Sequence, residues 1–143
     1  MHIRIWLLQF VTAAALMSAH GTAAADLTIE VTGVRSYDGA VLVAVCAVER
    51  FLTLDCESRA AVAARAGTTS LTLRDIRPGD YAVQAIHDEN GNGTLDRGLL
   101  GRPREGMGFS RDAPMRMGPP SFADAVVRIP EHGGQVRFSI RYF

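Results

Sequence analysis

Hydrophobic and polar residues alternate in short runs along most of this chain. Leu27, Ile29 and Val31 are separated by Thr28, Glu30 and Thr32, the period of a strand with one face buried and one wet. Tyr37-Asp38-Gly39 follows as a hairpin-turn signal, and Ala40 to Ala47 is a continuous small apolar run rich in valine, which predicts a central strand covered on both faces. Leu71 and Leu73 alternate with Ser70, Thr72 and Arg74. Arg77-Pro78-Gly79-Asp80 then marks a turn into a strand with Tyr81, Val83 and Ala85 on one face. Near the C-terminus Ala125, Val127 and Ile129 alternate with Val126 and Arg128. After Gly133-Gly134, Val136, Phe138, Ile140 and Tyr142 alternate with Arg137, Ser139 and Arg141. These two runs predict a final hairpin. Between Val48 and Arg65 the pattern blurs: Phe51, Leu52 and Leu54 suggest a loop folded back on the core, and Ala60 to Ala66 reads as a strand or a short helical turn.

Runs this short, with no long amphipathic helix among them, predict an all-β protein: an antiparallel Greek-key sandwich of about seven strands, with a barrel as the runner-up. Tyr81 follows the Pro78-Gly79 turn, where its ring suits the edge of a sandwich and its hydroxyl suits a bond back to the turn, as in the tyrosine corner of immunoglobulin-like folds. The plain alternative is a buried aromatic.

The N-terminus has a different pattern. Ile5 to Met17 is apolar except for Gln9 and Thr12, follows a weakly positive Met1-His2-Ile3-Arg4, and leads to Ala23-Ala24-Ala25 before Asp26. A bilayer span needs about 20 apolar residues, so residues 1–25 read as a cleavable signal peptide and not as an anchor. Residues 26–143 then form a single β-sandwich domain with a modest core, placed in the periplasm or outside the cell, with no stable membrane insertion after cleavage. The chain carries 15 basic and 15 acidic side chains, every basic one an arginine. This balance leaves no field of one sign to favour nucleic acid or an anionic membrane, and the lack of a basic patch interleaved with aromatics argues against the nucleic-acid binders as a class. Cys46 and Cys56 fall in the exported part, lack Cys-x-x-Cys spacing and have no histidine nearby, so they read as a structural disulfide.

Candidate chemistry collects in one connection, His87-Asp88-Glu89-Asn90-Gly91-Asn92-Gly93-Thr94-Leu95-Asp96, which opens a long stretch rich in Gly, Pro, Met and Arg. Connections of this length are usually functional in compact domains. Asp88, Asn90, Asn92 and Asp96 occupy positions one, three, five and nine of a calcium-loop pattern, Gly93 stands at the sharp turn, and the Thr94 carbonyl occupies position seven. Calcium takes hard oxygen ligands of these kinds. Position twelve, however, is Leu99 where the pattern wants a bidentate glutamate, so Glu89 or Glu105 would have to substitute. The alternative is a metal-free turn in which Asp and Asn side chains bond their own backbone.

This decapeptide, with Gly101-Arg102-Pro103-Arg104-Glu105-Gly106-Met107-Gly108-Phe109-Ser110 and Gly118-Pro119-Pro120-Ser121-Phe122-Ala123-Asp124-Ala125 following in order, resembles the DUF2141 family of bacterial exported proteins. The resemblance covers nearly the whole chain after the signal peptide, and Leu73 to Val83 is also similar to prealbumin-like (transthyretin) and carboxypeptidase-regulatory-like sandwich domains. It implies an immunoglobulin- or transthyretin-like sandwich and export. It carries no established activity, and the cysteine pair is not a feature it implies. Three functional readings remain. The first is a binding or structural module whose loop, with His87, Glu105, Met107 and Phe109 beside it, meets an extracytoplasmic ligand or protein, with calcium as its possible cofactor. The second is a hydrolase-like enzyme using His87, Asp88, Glu105 and Ser110, although no nucleophile elbow or metalloprotease helix is present. The third is a copper site of Met107, Met115, Met117 and His87, soft ligands suited to cuprous ion; the same methionines equally suit loop packing.

Overall fold

The computed structural model describes residues 24–53 and 55–143. The expected signal peptide lies almost wholly outside the described residues, as does Leu54. Eight strands are present among the described residues: β1 (Ala25–Val34), β2 (Ala40–Cys46), β3 (Ser58–Ala63), β4 (Gly67–Ile76), β5 (Gly79–Asp88), β6 (Gly106–Phe109), β7 (Val126–Ile129) and β8 (Gly134–Ser139), with one α-helical turn, α1 (Phe122–Ala125), and three short 3-10 turns. The architecture is mostly β with little helix, and no described helix is long and apolar enough to cross a membrane.

The strands form two sheets. One has the order β4-β1-β8; the other runs β3-β2-β5-β6, with β7 also on β5. Strands β6 and β7 share one edge of β5, β6 opposite Gln84 to His87 and β7 opposite Gly79 to Ala82. The alternating residues Leu27, Ile29, Val31, Leu73 and Phe138 of the smaller sheet meet Val41, Val43, Val45, Val83 and Ala85 of the larger in one buried cluster. Each such side chain contributes about 1.5–3 kcal/mol on leaving water, so the alternation that predicts the strands also supplies the core between them.

Three expectations about pairing are corrected. The Tyr37-Asp38-Gly39 turn does not close a hairpin, because both edges of β1 are already taken by β4 and β8; the turn carries the chain to the other sheet. The final two strands are likewise no hairpin, since β7 joins β5 and β8 joins β1. A turn closed by the Gly133 N–H on the Pro130 carbonyl redirects the chain between them. The pairing of β8 with β1 is also parallel, so the fold is not purely antiparallel. Alternation orients a buried face but does not choose a partner, because two successive strands satisfy it side by side or facing each other across a core.

Elsewhere the structure decides between alternatives. Ala60 lies in the strand β3. Phe51 folds back, stacking edge-on against Phe109 and Phe122 at 5.8 and 5.7 Å, whereas Leu52 stays exposed. Strand β2 is central but buries Val41, Val43 and Val45 more deeply than Leu42 and Ala44. Tyr81 packs half-buried against the core and its hydroxyl has no hydrogen-bond partner among the described residues, so no tyrosine corner forms there. Strand β6 carried no strand signal because glycine alternates through it, and a packing constraint explains those glycines. A Cβ on Gly108 would stand 2.2 Å from the Ser139 carbonyl oxygen, and one on Gly106 2.4 Å from both Ile140 and Tyr142, so the C-terminal segment crosses β6 only where side chains are missing.

Cys46 at the end of β2 is joined to Cys56, ten residues on, with Cα atoms 4.7 Å apart. The bond closes a loop that begins in β2, an interior strand of the larger sheet. Replacing both cysteines by serine is expected to cost about 2–3 kcal/mol of unfolding free energy, from lost loop-closure constraint. Urea unfolding of wild type and variant without reductant measures the difference, and reductant is expected to bring wild type down to the variant.

Candidate functional site

The connection between β5 and β6 is ordered by its own acids and amides. Asp88, the last residue of β5, is buried, and its carboxylate accepts the N–H groups of Asn92 at 3.1 Å and Gly93 at 2.7 Å. The Asn90 side-chain oxygen accepts the Asn92 N–H at 3.0 Å, and that of Asn92 accepts the N–H and hydroxyl of Thr94 at 2.9 and 3.0 Å. The amide nitrogens of Asn90 and Asn92 both donate to the Asp96 carboxylate. These are successive Asx turns, which explains why Asp, Asn and Gly occupy the segment.

Glu105 closes the connection from its far end. It is only 4 % exposed, and its two carboxylate oxygens accept the N–H groups of Glu89 at 3.1 Å and Asp96 at 3.0 Å. Between these anchors the chain makes a narrow hairpin, with Arg104 N–H on the Asp96 carbonyl at 2.8 Å and Gly98 N–H on the Arg102 carbonyl at 2.7 Å. The structure thus brings Asp88, Asn90, Asn92, Thr94 and Asp96 together with Glu105, and leaves Leu99 at the hairpin tip, fully outside the cluster. Among the described residues no three His, Cys, Asp or Glu side chains converge as a metal-binding group. The carboxylates of Asp88 and Glu105 already have backbone donors, while Asp96 faces only two side-chain amides.

His87 is fully buried beside this connection. Its Nε2 lies 2.9 Å from the Asp38 carbonyl, which only accepts, so Nε2 carries the proton and Nδ1 accepts from the Tyr142 hydroxyl at 2.7 Å. The Tyr142 oxygen in turn accepts the Arg35 N–H at 3.0 Å, and the Arg35 guanidinium lies 4.3 Å over the Tyr142 ring. Arg35 grips Glu89 with both Nε and Nη2, and Glu89 stands 3.9 Å from His87 Nδ1. That bidentate hydrogen bond, more than the wider field of the arginine, holds the Glu89 carboxyl below the ordinary glutamate range, while burial pushes the Tyr142 hydroxyl up. Sequence reading missed Arg35 and Tyr142: they lie 54 and 55 residues from their partners, and no local pattern announces such contacts.

The residues of the hydrolase reading do not share a site. Ser110 is buried, accepts the Val83 N–H at 2.9 Å and donates to the Ala125 carbonyl. Val83 and His87 are separated by roughly 13 Å along an extended strand, and both ring nitrogens of His87 are engaged. Met107, Met115 and Met117 do border one groove, of about 440 Å³, with Arg97, Arg102 and Phe143 among its walls, but His87 is not among them. Phe109 lies in a second small core with Phe51 and Phe122. A second concavity of about 430 Å³ lies on the outer face of the larger sheet, with Leu42, Ala61, Ile86 and Gly93 on its walls.

Fold and site together define a small two-sheet β protein whose longest connection is held by its own acidic and amide side chains. The chain belongs to the DUF2141 family, described as an uncharacterized protein conserved in bacteria, whose profile matches residues 29–137. Neither a curated protein nor a solved structure matches the chain significantly.

The Arg35 to Glu89 bond has a pH signature. A carboxyl held low in the folded state stabilises it above the unfolded pKa, and that contribution disappears as pH falls through the folded value. The Glu89→Gln variant is therefore expected to be less stable than wild type at neutral pH, with the gap closing as pH drops below the ordinary glutamate range. Melting temperatures of the two proteins across that range measure it; a gap that does not change with pH contradicts the assignment.

Proposed function

We propose that this protein is an extracytoplasmic binding module: a Greek-key β-sandwich of immunoglobulin or transthyretin type, exported by a cleaved signal peptide, that presents the connection from Asp88 to Glu105 to a ligand or partner. The two sheets around one core support the sandwich reading. The disulfide and membership of a bacterial family support a location outside the cytoplasm. The carrying observation is that this self-pinned connection borders both concavities, with Gly93 at one and Arg97 to Pro103 at the other. Sites presented on a connection braced by a rigid scaffold are a common arrangement in β folds.

The brace is testable at Glu105. Replacing it with glutamine removes the charge that two backbone N–H groups share, at an expected cost of about 1.5–3 kcal/mol. Hydrogen exchange at the Glu89 and Asp96 amides is expected to be slow in wild type and fast in Glu105→Gln, with β2 and β5 still protected. Equal exchange in the two proteins removes the braced connection from this reading.

A second reading adds calcium, on the strength of Asp96. Its carboxylate is met by two side-chain amides and by no backbone donor among the described residues, so it could turn to a cation without unpairing a backbone N–H group. Carboxylate, amide and carbonyl oxygens of the kinds found in this connection suit calcium. On this reading calcium added after chelator treatment raises the melting temperature of wild type and leaves Asp96→Asn unmoved. A wild-type transition indifferent to calcium ends it.

A further inference from the structure

The hairpin at the end of the connection exposes groups that a folded chain ordinarily hides. Leu99 and Leu100 follow one another between Gly98 and Gly101, 91 % and 100 % exposed. Leu100 also holds a left-handed backbone, with φ at 64°, a conformation that disfavours residues bearing a Cβ and marks functional positions more often than indifferent ones. The tip is not a frayed end. Besides the rungs already described, Gly101 N–H donates to the Gly98 carbonyl at 3.2 Å, and the Arg97 guanidinium reaches back to the Gly101 carbonyl at 3.0 Å. Met117 and Phe143 are exposed beside it, and with Leu100 they border the 440 Å³ groove.

The charge around this apolar tip is one-sided. The chain as a whole is balanced, yet positions 97–117 hold five arginines, at 97, 102, 104, 111 and 116, against two acids, Glu105 and Asp112. Glu105 is buried on its two backbone donors, and Asp112, though exposed, accepts the Ser139 N–H at 2.7 Å. Arg102, Arg104 and Arg116 are exposed, and among the described residues none of them forms an ion pair. Arg116 exerts only a minor pull on the Asp124 carboxyl.

We propose that this tip docks the protein peripherally on an anionic lipid surface, Leu99 and Leu100 entering the boundary between headgroups and acyl chains while Arg102, Arg104 and Arg116 meet lipid phosphates. Two adjacent exposed leucines at a hairpin tip suit a fluid apolar layer that deforms around them, and three exposed guanidiniums with no ion pair among the described residues complement an anionic surface. This assignment rests on the proposed role of the connection as the presenting element, and names its partner.

Vesicle sedimentation tests it, using the protein as the cell delivers it, with the N-terminus fixed by mass spectrometry. Wild type is expected to sediment with vesicles of phosphatidylcholine and phosphatidylglycerol, and weakly with phosphatidylcholine alone. Leu99→Ser is expected to lower the affinity by about tenfold, the loss of one inserted leucine. Arg102→Gln combined with Arg116→Gln is expected to lower it by roughly tenfold and to flatten its salt dependence. Leu100→Gly separates function from structure, because glycine accepts the left-handed backbone: it is expected to raise the melting temperature while weakening vesicle binding. Failure of wild type to sediment with either vesicle overturns the proposal. So does binding unchanged in both leucine variants, which means simple surface charge, and so does self-association lost in those variants without vesicle binding, which means a protein contact. If the Glu89 and Asp96 amides are protected while vesicles are ignored, the lipid assignment falls and the braced connection stands.

Discussion

A carboxylate removed from water has to be met by donors, and much of what is distinctive in this molecule follows from how Glu105 meets that demand. The side chain is almost wholly buried, and its two oxygens take one N–H from each end of the Asx-rich turn, Glu89 on entry and Asp96 on exit. An unmatched charge there would cost several kcal/mol, so the chain folds the turn down onto Glu105 or does not fold it at all. Once that is fixed, the hairpin between Asp96 and Arg104 has a defined base, and its tip has a defined direction. The polar cluster is better understood as the foundation of a projecting element than as a collection of surface loops.

That foundation is tied into the sheets on its other side. Asp88 and His87 end β5, the strand that pairs with β2 on one edge and with β6 and β7 on the other. His87 is held at Nε2 by the carbonyl of Asp38, in the crossing between sheets, and at Nδ1 by Tyr142, at the C-terminus. Arg35 then reaches Tyr142 and Glu89 together. Three segments far apart in sequence therefore converge on the root of one connection, and the residue types that suggested catalysis are consumed in holding it. A buried histidine with both nitrogens satisfied is a fastener, and its neighbouring glutamate is the partner of an arginine.

The strands and the character of the connection were legible in the sequence; the pairing of strands was not. Period-two alternation located Leu27 to Val31, Leu71 to Leu73 and Val136 to Phe138 because one face of each is buried, which is a local fact. Which strands lie side by side is a non-local fact, and the signals at Asp38-Gly39 and Gly133-Gly134 specify a reversal without saying whether the chain returns in the same sheet. Strand β6 was invisible because its glycines answer to the backbone of Ser139 and the side chains of Ile140 and Tyr142, residues about 30 positions away, and not to any strand propensity. In the connection, the closely spaced Asp, Asn and Gly residues mark the Asx turns that the side-chain oxygens of Asp88, Asn90 and Asn92 form with nearby backbone N–H groups. Leu99 stands where a calcium loop wants an acid, and Glu105, one of the two acids the sequence offers in its place, is the one that the turn folds around.

A balanced composition says nothing of where the charges lie. Equal numbers of acidic and basic residues suggest a surface with no preference among partners, but a net count averages over a molecule whose acids and bases are not equally available. Near the hairpin Glu105 and Asp112 accept backbone N–H groups, Arg97 and Arg111 donate to the carbonyls of Gly101 and Ala123, and Arg102, Arg104 and Arg116 are exposed with no ion pair among the described residues. A carboxylate only accepts and a guanidinium only donates, so the backbone partner each finds decides which charges are left to solvent. The hydrogen bonding that orders the connection thus leaves three exposed arginines near two exposed leucines on a chain whose formal charge is zero.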